Sequence, residues 1–505
     1  MQQAIRASLP ARGLTATTRR SNVPRLTRPT GIVAPRRIGG PPLRPVPLQP
    51  TFAASGAVPA GSGDEGKVVR PPPDDSTFLG MPHRWQVVAF MALAFILCNM
   101  DKVNMSVAVI PMAEELGWSA TERGLVSSAF FWGYTLTQTP AGYLCSKIGG
   151  IKVLLAGVVL WSLGTAVAPP LAKMGILWLC ASRFFVGLGE GLAPSSVTSV
   201  MANKVPQGER SRAVATVFGG LDVGSAVGLL LCGPLIRLYG WPIVFYTFAV
   251  LGLVWAALFP LIKPEAAIDS EEQKQAEIAE AAAAKSGPQK LPYGKFLTSL
   301  PVLAITVAHF CFNWGYYILL AWLPSYFDMA LGLDVANSSV LTLIPYIAMA
   351  GMTPLVGPIA DSLVNKGWGL TTVRKLAQGI SFAGPAICMV FLAKLTPATP
   401  AAASPGLITL LVALMSLAFA LSAWARAGLY CNHQDISPRY ASALLGITNT
   451  AGALPGVLGV LLTGHLLDKT GGSFAQAIFY PAIGVQIFGL IFYTLFASSE
   501  RQPWS

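Results

Sequence analysis

The chain has 505 residues, of which 53% are hydrophobic and 11% charged, and its mean hydropathy is +0.56. Soluble domains carry about 25% charged residues, so this composition excludes an ordinary soluble protein and indicates one that crosses a membrane many times. The net charge of +12 does not indicate a nucleic-acid surface, because nine of those charges are arginines within residues 1–50, which contain no acid.

Residues 1–83 are expected to be an organellar transit peptide followed by a disordered linker. Residues 1–50 hold nine Arg and nine Pro, and the first acidic residue is Asp64. An Arg-rich, acid-free leader with hydroxyl residues and no apolar core is typical of organellar import, not of secretion. A basic tail without a targeting role is the alternative.

Twelve apolar stretches follow, each long enough to span the hydrocarbon core as a helix of about 20 residues. Six lie in residues 84–263 and six in 300–497; a polar loop at 264–299 joins these halves, and 498–505 form a tail. The predicted spans are 85–112, 122–145, 151–172, 174–203, 211–236, 241–262, 300–327, 337–361, 372–394, 405–432, 440–467 and 474–497. The predicted fold is an all-α polytopic membrane protein of two six-helix halves.

Charge in the loops predicts the orientation. Loops on one side of the twelve spans hold 14 Lys and Arg, whereas those on the other side hold 5. Since the side richer in Lys and Arg faces inward, both termini are expected on the same, inner side.

A glycine pattern repeats at the ends of the middle helices. GYLCSKIG ends span 2, GPLIRLYG span 5 and GHLLDKTG span 11, and span 8 ends with the longer GPIADSLVNKG. Four three-helix units with this repeat resemble the major facilitator fold. That resemblance implies alternating access around a site between the two halves.

Charged residues inside the spans mark the candidate site, because a charge in the bilayer is costly and functional by default. In span 1, Ser106 lies one turn after Lys102, and a cation with a nearby hydroxyl suits an oxyanion. Asp101 either balances the charge of Lys102 or takes part in cation coupling.

Span 4 carries a second pair of charges, Arg183 and Glu190, which lie two turns apart on one face. Arg183 is expected to hold an anion and Glu190 to take up a proton or cation; a structural ion pair is the alternative.

The second half offers other polar candidates. His309 and Asn313 lie four residues apart on one face of span 7. We predict that Asn313 binds substrate and leave His309 open between packing and site. Arg426 in span 10 is a further substrate-binding candidate, although it could instead pair with Asp222 of span 5.

Enzyme, pump and metal signatures are weak. GSGDEGK resembles a phosphate-binding loop, but Val68 follows it where Ser or Thr is needed and no strand precedes it. The seven cysteines form no Cys-x-x-Cys pair and the four histidines no His-x-x-x-His pair, so we expect neither a cofactor nor a metal site. A membrane-embedded enzyme or a non-transporting sensor remains a remote alternative.

The turn between spans 2 and 3 resembles the major facilitator signature, with Ser146 where an acid is usual. Its second-half copy keeps the acid as Asp361 and continues to Arg374 and Lys375. The resemblance implies that such charges hold the inner gate, so we predict gating roles for Lys147, Asp361 and Arg374. Ordinary positive loop charge is the alternative.

Several segments are similar to the anion:cation symporter family, which includes sodium–phosphate cotransporters, sialin and vesicular glutamate transporters. They are NMDKVNMSVAVIPM, RFFVGLGEG, HFCFNWGYYILLAWLPSYF and GLYCNHQDISPRYASALLGITNTAGALPGVLGV. The plant plastid anion (type 4 phosphate) transporters are the most similar group. By position, the resemblance implies an anion site at Lys102 and Arg183 and a gating role for Arg210. Phe312 stands where relatives carry Arg or His.

The combined prediction is a secondary anion transporter of the plastid inner envelope or thylakoid, with mitochondrial import as the alternative. Inorganic phosphate coupled to Na⁺ or H⁺ is the leading substrate. An organic anion such as ascorbate or glutamate, driven by membrane potential, chloride or protons, is the alternative that Phe312 favours. We expect a monomer that contacts the lipid bilayer and a small anion but no nucleic acid.

Overall fold

The computed structural model describes residues 81–205, 207–262, 292–437 and 440–504. The predicted transit peptide and most of the predicted central loop therefore lie outside the described residues. In the first half the helices are α1 (His83–Leu116), α2 (Ala120–Ile148), α3 (Gly150–Met174), α4 (Ile176–Lys204), α5 (Gln207–Tyr239) and α6 (Pro242–Leu258). In the second half they are α7 (Tyr293–Thr298), α8 (Leu300–Leu331), α9 (Val335–Asn365), α10 (Leu370–Leu395), α11 (Pro405–Ser422), α12 (Leu429–Ile436), α13 (Ala441–Lys469) and α14 (Tyr480–Phe496).

The described part of the chain is helical and apolar, as the composition predicts. Eleven of its helical segments are long and apolar enough to cross a membrane. The 29-residue helix α2 is also long enough but more polar, so the number of twelve spans stays a prediction. The common inner side of the termini also stays a prediction.

Span 10 is not the single helix that the sequence predicted. Helix α11 ends at Ser422, a 3₁₀ turn covers Ala423–Arg426, and α12 begins at Leu429. The Gln378 side chain accepts a hydrogen bond from the Leu429 backbone N–H (3.0 Å), which satisfies one of the free donors at the start of α12. The break matters because discontinuous helices often expose polar groups at transporter sites.

Glycines bring α4 close to its neighbours. A Cβ on Gly187 would lie 2.0 Å from the backbone oxygen of Phe130 in α2, and one on Gly189 would lie 2.7 Å from that of Gly157 in α3. Gly191 likewise packs on Thr137 of α2. Only residues without a side chain permit such approach, and the contact fixes α4 against α2 and α3.

The two halves pack at one end, which we call the closed end. Along α2 and α13, Gly124 meets the backbone of Val460 and Gly464 meets that of Ala120. Along α5 and α9, Gly233 meets Ala336. The Asp468 carboxylate also accepts hydrogen bonds from the backbone N–H groups of Ala120 (3.0 Å) and Thr121 (2.7 Å).

At the other end, which we call the open end, the same helix pairs separate. Helices α2 and α13 run antiparallel, and Gly124 of α2 lies opposite Gly464 of α13. If the two helices stayed in contact along their length, Gly142 would lie opposite Gly446. Instead, a Cβ placed on Gly142 or on Gly446 would have no neighbouring atom within 4 Å. The same is true of Gly219 and Gly351 in α5 and α9. The halves therefore enclose a space that opens at the end carrying Lys147 and Asp361.

Candidate functional site

The charges of α1 and α4 interact across the two helices. Lys102 Nζ lies 3.6 Å from Glu190 Oε2, and the Cys98 thiol, one turn before Lys102, donates to the same oxygen at 3.3 Å. Glu190 is completely buried, so it needs this compensation. The sequence left open two other ion pairs, Lys102 with Asp101 and Arg183 with Glu190. The described side chains form neither of them.

Asp101 has a separate partner on α3. Its carboxylate accepts a hydrogen bond from the Thr165 hydroxyl at 2.7 Å, while its second oxygen has no hydrogen-bond partner among the described residues. Asp101 and Arg183 are near enough to interact electrostatically without a direct ion pair. Asp101 therefore takes a hydroxyl partner and no ion pair in the part of the chain that the structure describes.

Arg183 is the most under-coordinated charge of the site. Its side chain is 1% exposed, and within the described residues its Nε and Nη1 groups have no hydrogen-bond partner. The guanidinium carbon lies 5.7 Å from the ring centre of Phe130, which also lies 5.5 Å from Lys102 Nζ. A buried guanidinium with unused donors is costly unless an anion or water completes its coordination.

A cavity lies next to these two cations. Lys102, Ser106 and Arg183 line it together with residues of α2 and α8. The Ser106 hydroxyl donates to the backbone oxygen of Val103 (2.7 Å), so in this structure its proton is already used. The structure therefore brings together three of the predicted substrate-binding residues.

The other two predicted substrate-binding residues lie elsewhere. Asn313 donates to the backbone oxygen of Gly452 at 2.8 Å and so links α8 to α13. Arg426 is exposed beside Asp222, near enough to interact with it but without an ion pair between them. The second half contacts the first near the cavity through Tyr317, whose ring centre lies 4.7 Å from that of Phe131.

The predicted gating residues are spread over the open end. Lys147 is exposed, with its Nζ 4.9 Å from the ring centre of Tyr143, and Asp361 forms no ion pair with any described residue. Arg374 binds Asp435 of its own half, at 2.7 Å through Nε. The side chain of Arg210 lies outside the described ones. Their gating roles remain predictions, and the separation of the halves at this end is consistent with an open gate.

Several residues of the site were not predicted from the sequence. The sequence does offer a signal for Cys98, which lies one turn before Lys102 on the same helix face. It offers one for Asp468 too, because this acid lies within the repeated glycine segment GHLLDKTG. Thr165 and Phe130 carry no such signal, since their roles depend on which helices meet. Among the described residues, no three His, Cys, Asp or Glu side chains are grouped so as to hold a metal ion.

Similar proteins in Arabidopsis thaliana are anion transporters of chloroplasts by name. The chain is 44% identical over 429 residues to "Probable anion transporter 6, chloroplastic", with 84% of this chain and 81% of that protein covered. It is 41% identical to "Sodium-dependent phosphate transport protein 1, chloroplastic", with 83% of this chain and 80% of that protein covered. It is 40% identical to "Ascorbate transporter, chloroplastic", with 83% of this chain and 76% of that protein covered.

A solved D-xylose–proton symporter has the same fold, with a TM-score of 0.64 at 18% identity over 83% of this chain and 99% of that one. The sequence model described as Major Facilitator Superfamily matches residues 90–460. The two helical halves pack at one end, buried charges lie in the first half, and the sequence model matches most of the chain. The chain therefore belongs to the Major Facilitator Superfamily.

Proposed function

We propose that this chain is a secondary active anion transporter of the chloroplast inner envelope or thylakoid. Inorganic phosphate, moved together with Na⁺ or H⁺, is its leading substrate. The superfamily consists of transporters, which excludes the enzyme alternative. Relatives at 40–44% identity are chloroplast anion transporters by name, which supports both the anion and the organelle.

The observation that carries this proposal is the incomplete coordination of Arg183. Its two unused donors and the ammonium of Lys102 border one cavity between the halves. Unused N–H groups of a guanidinium suit an oxyanion, because hydrogen bonds between two charged partners are strong. Lys102 adds a point charge without the same directionality. Together they can neutralise and orient one small anion.

The ion pair between Lys102 and Glu190 suggests how a cation is coupled. An anion that binds Lys102 competes with Glu190, whose carboxylate would then be left buried without its partner. Since an unpaired buried charge costs several kcal/mol, binding of a proton or Na⁺ at Glu190 would be favoured together with the anion. Asp101, held by Thr165, is the second candidate for the coupling cation.

Substrate and cation would then cross together. The closed end holds the halves through backbone contacts and Asp468, whereas the halves separate at the open end. A change in which the closed end separates and Asp361 re-forms an inner gate would expose the same site on the opposite side.

An organic anion such as ascorbate or glutamate is the second candidate, driven by membrane potential, chloride or protons. The observation that favours it is a second cavity, which lies in the second half. Aromatic side chains line it, including Phe312, Tyr316 and Phe419, and Gln486 adds an amide. Such walls suit the carbon skeleton of a larger substrate better than a phosphate ion.

The test is uptake of radiolabelled phosphate into proteoliposomes under a Na⁺ gradient, a pH gradient or neither. Arg183→Gln removes the buried guanidinium and is expected to lower uptake at least 100-fold, because charge-assisted hydrogen bonds to the anion are lost. Arg237→Gln is the matched control, since Arg237 is exposed at the end of α5. Its uptake should equal that of the wild type.

The gradient that drives uptake identifies the coupling ion. Uptake of ascorbate or glutamate but not phosphate would overturn the phosphate assignment and keep anion transport. Full activity of Arg183→Gln would overturn the proposed site.

A further inference from the structure

A pocket lies at the open end of the first half, where the turn between α2 and α3 meets the end of α4. Its volume is about 320 Å³, roughly ten times that of one water molecule. Its polar walls come from Lys152 at the start of α3 and from Ser199 and Lys204 in the last turns of α4. The two helices touch here, because a Cβ on Gly150 would lie 3.0 Å from the Cβ of Ser199.

The chemistry of this pocket suits an anion. Two of its side chains are lysines, and no acidic residue lines it in the part of the chain that the structure describes. The start of α3 adds backbone donors, since Gly149 precedes the helix and no side chain caps it. An oxyanion near the first turn of a helix is stabilised by such N–H groups. The lysines and the helix start therefore act on the same side of the pocket.

An apolar groove continues from the pocket along α3, and Lys152 lines both of them. The other residues of the groove recur at helical spacing on one face: Leu155, Ala156, Val159, Leu160 and Leu163. The opposite face of α3 is buried in the first half, for example at Val158 and Trp161. The groove therefore faces outward, towards the bilayer.

The groove is as long as one leaflet of the bilayer. From Lys152 to Leu163 the helix rises about 16 Å, at about 1.5 Å per residue. Half of the hydrocarbon core is about 15 Å thick. A molecule with its charged end at Lys152 could thus lay an apolar chain along α3 as far as the bilayer centre. A free anion would use the pocket alone, whereas a lipid would use the pocket and the groove.

We propose that this pocket and groove bind one anionic membrane lipid. Its phosphate or sulfonate headgroup lies between Lys152 and Lys204, and one acyl chain lies along α3. Basic pockets between transmembrane helices are known to bind anionic headgroups at the membrane surface. The described lining residues all belong to the first half and include neither Lys102 nor Arg183, so the lipid site is separate from the proposed transport site.

The test is native mass spectrometry of the full chain with phosphatidylglycerol as the anionic lipid and phosphatidylcholine, with the same acyl chains, as the neutral one. The wild type should bind phosphatidylglycerol about 25-fold more tightly, because each lysine near the surface favours an anionic lipid about five-fold. Lys152→Gln and Lys204→Gln should each remove about a factor of five. The double variant should bind the two lipids equally.

A matched control removes the same charge elsewhere. Lys173 and Lys394 are exposed in the last turns of α3 and α10. The double variant Lys173→Gln with Lys394→Gln should bind phosphatidylglycerol as the wild type does. An equal loss in this control would show that net charge alone attracts the lipid, and would overturn the inference.

The groove is tested separately from the lysines. Ala156→Phe places a ring in the groove at an exposed position and keeps both lysines, so it should weaken phosphatidylglycerol binding. Glycerol phosphate, the headgroup without acyl chains, should not displace the bound lipid at equal concentration. Unchanged binding in Ala156→Phe, or displacement by glycerol phosphate, would indicate a site for a free anion and overturn the lipid assignment.

Equal affinity of the wild type for the two lipids would also overturn the inference. The thermal midpoint of each variant shows whether it is folded, and the substituted side chains are exposed or half-buried, so we expect no loss of folding. Lipid binding is measured without transport. The result is therefore independent of whether the chain carries phosphate.

Discussion

Asp468 provides a test of how the closed end is held. This residue of α13 accepts hydrogen bonds from the first backbone N–H groups of α2, at Ala120 and Thr121, and so caps a helix of the other half. Replacing a capping side chain by Ala typically costs about 1 kcal/mol. Asp468 is exposed, so solvent screening argues against a larger value. Asp468→Ala should therefore shift the equilibrium away from the closed end about five-fold.

Hydrogen–deuterium exchange of the protein in lipid nanodiscs measures this shift. In Asp468→Ala, the amides of residues 119–124 and 464–470 should both exchange about five-fold faster, because one contact joins the two segments. Glu122→Ala is the control. Glu122 accepts from the Ser119 backbone N–H at 2.8 Å within its own half. It should affect residues 119–124 alone, and unchanged exchange of 464–470 in Asp468→Ala would refute the reasoning.

Two further predictions concern stability in detergent. Gly187→Ala should lower the thermal midpoint of unfolding strongly, because the new methyl group would overlap a backbone oxygen of α2. Gly142→Ala is the control. It should leave the midpoint unchanged, since no atom lies within 4 Å of the position that its methyl group would take. Arg374→Ala and Asp435→Ala should each destabilise the second half by about 3 kcal/mol, since each leaves a half-buried charge unpaired. The double variant should cost clearly less than their sum, and additive losses would show that the two side chains do not act as a pair.

The sequence by itself determined the membrane-spanning fold and singled out the buried charges of the first half. Long apolar stretches specify bilayer-crossing helices, and the cost of a charge in lipid makes Lys102, Arg183 and Glu190 stand out without any structure. These signals depend only on residues close together in the sequence, so they can be recognised without a structure.

Only the tertiary structure decided the partners of these side chains. Lys102 contacts Glu190, Asp101 contacts Thr165, and Arg183 keeps unused donors because α1, α3 and α4 meet at particular heights that no local pattern encodes. The same holds for Asn313, whose amide bonds Gly452, and for the break that separates α11 from α12. A hydrogen bond depends on distances of a few tenths of an ångström between helices far apart in the chain. Helix periodicity fixes which face a residue lies on but not what that face meets.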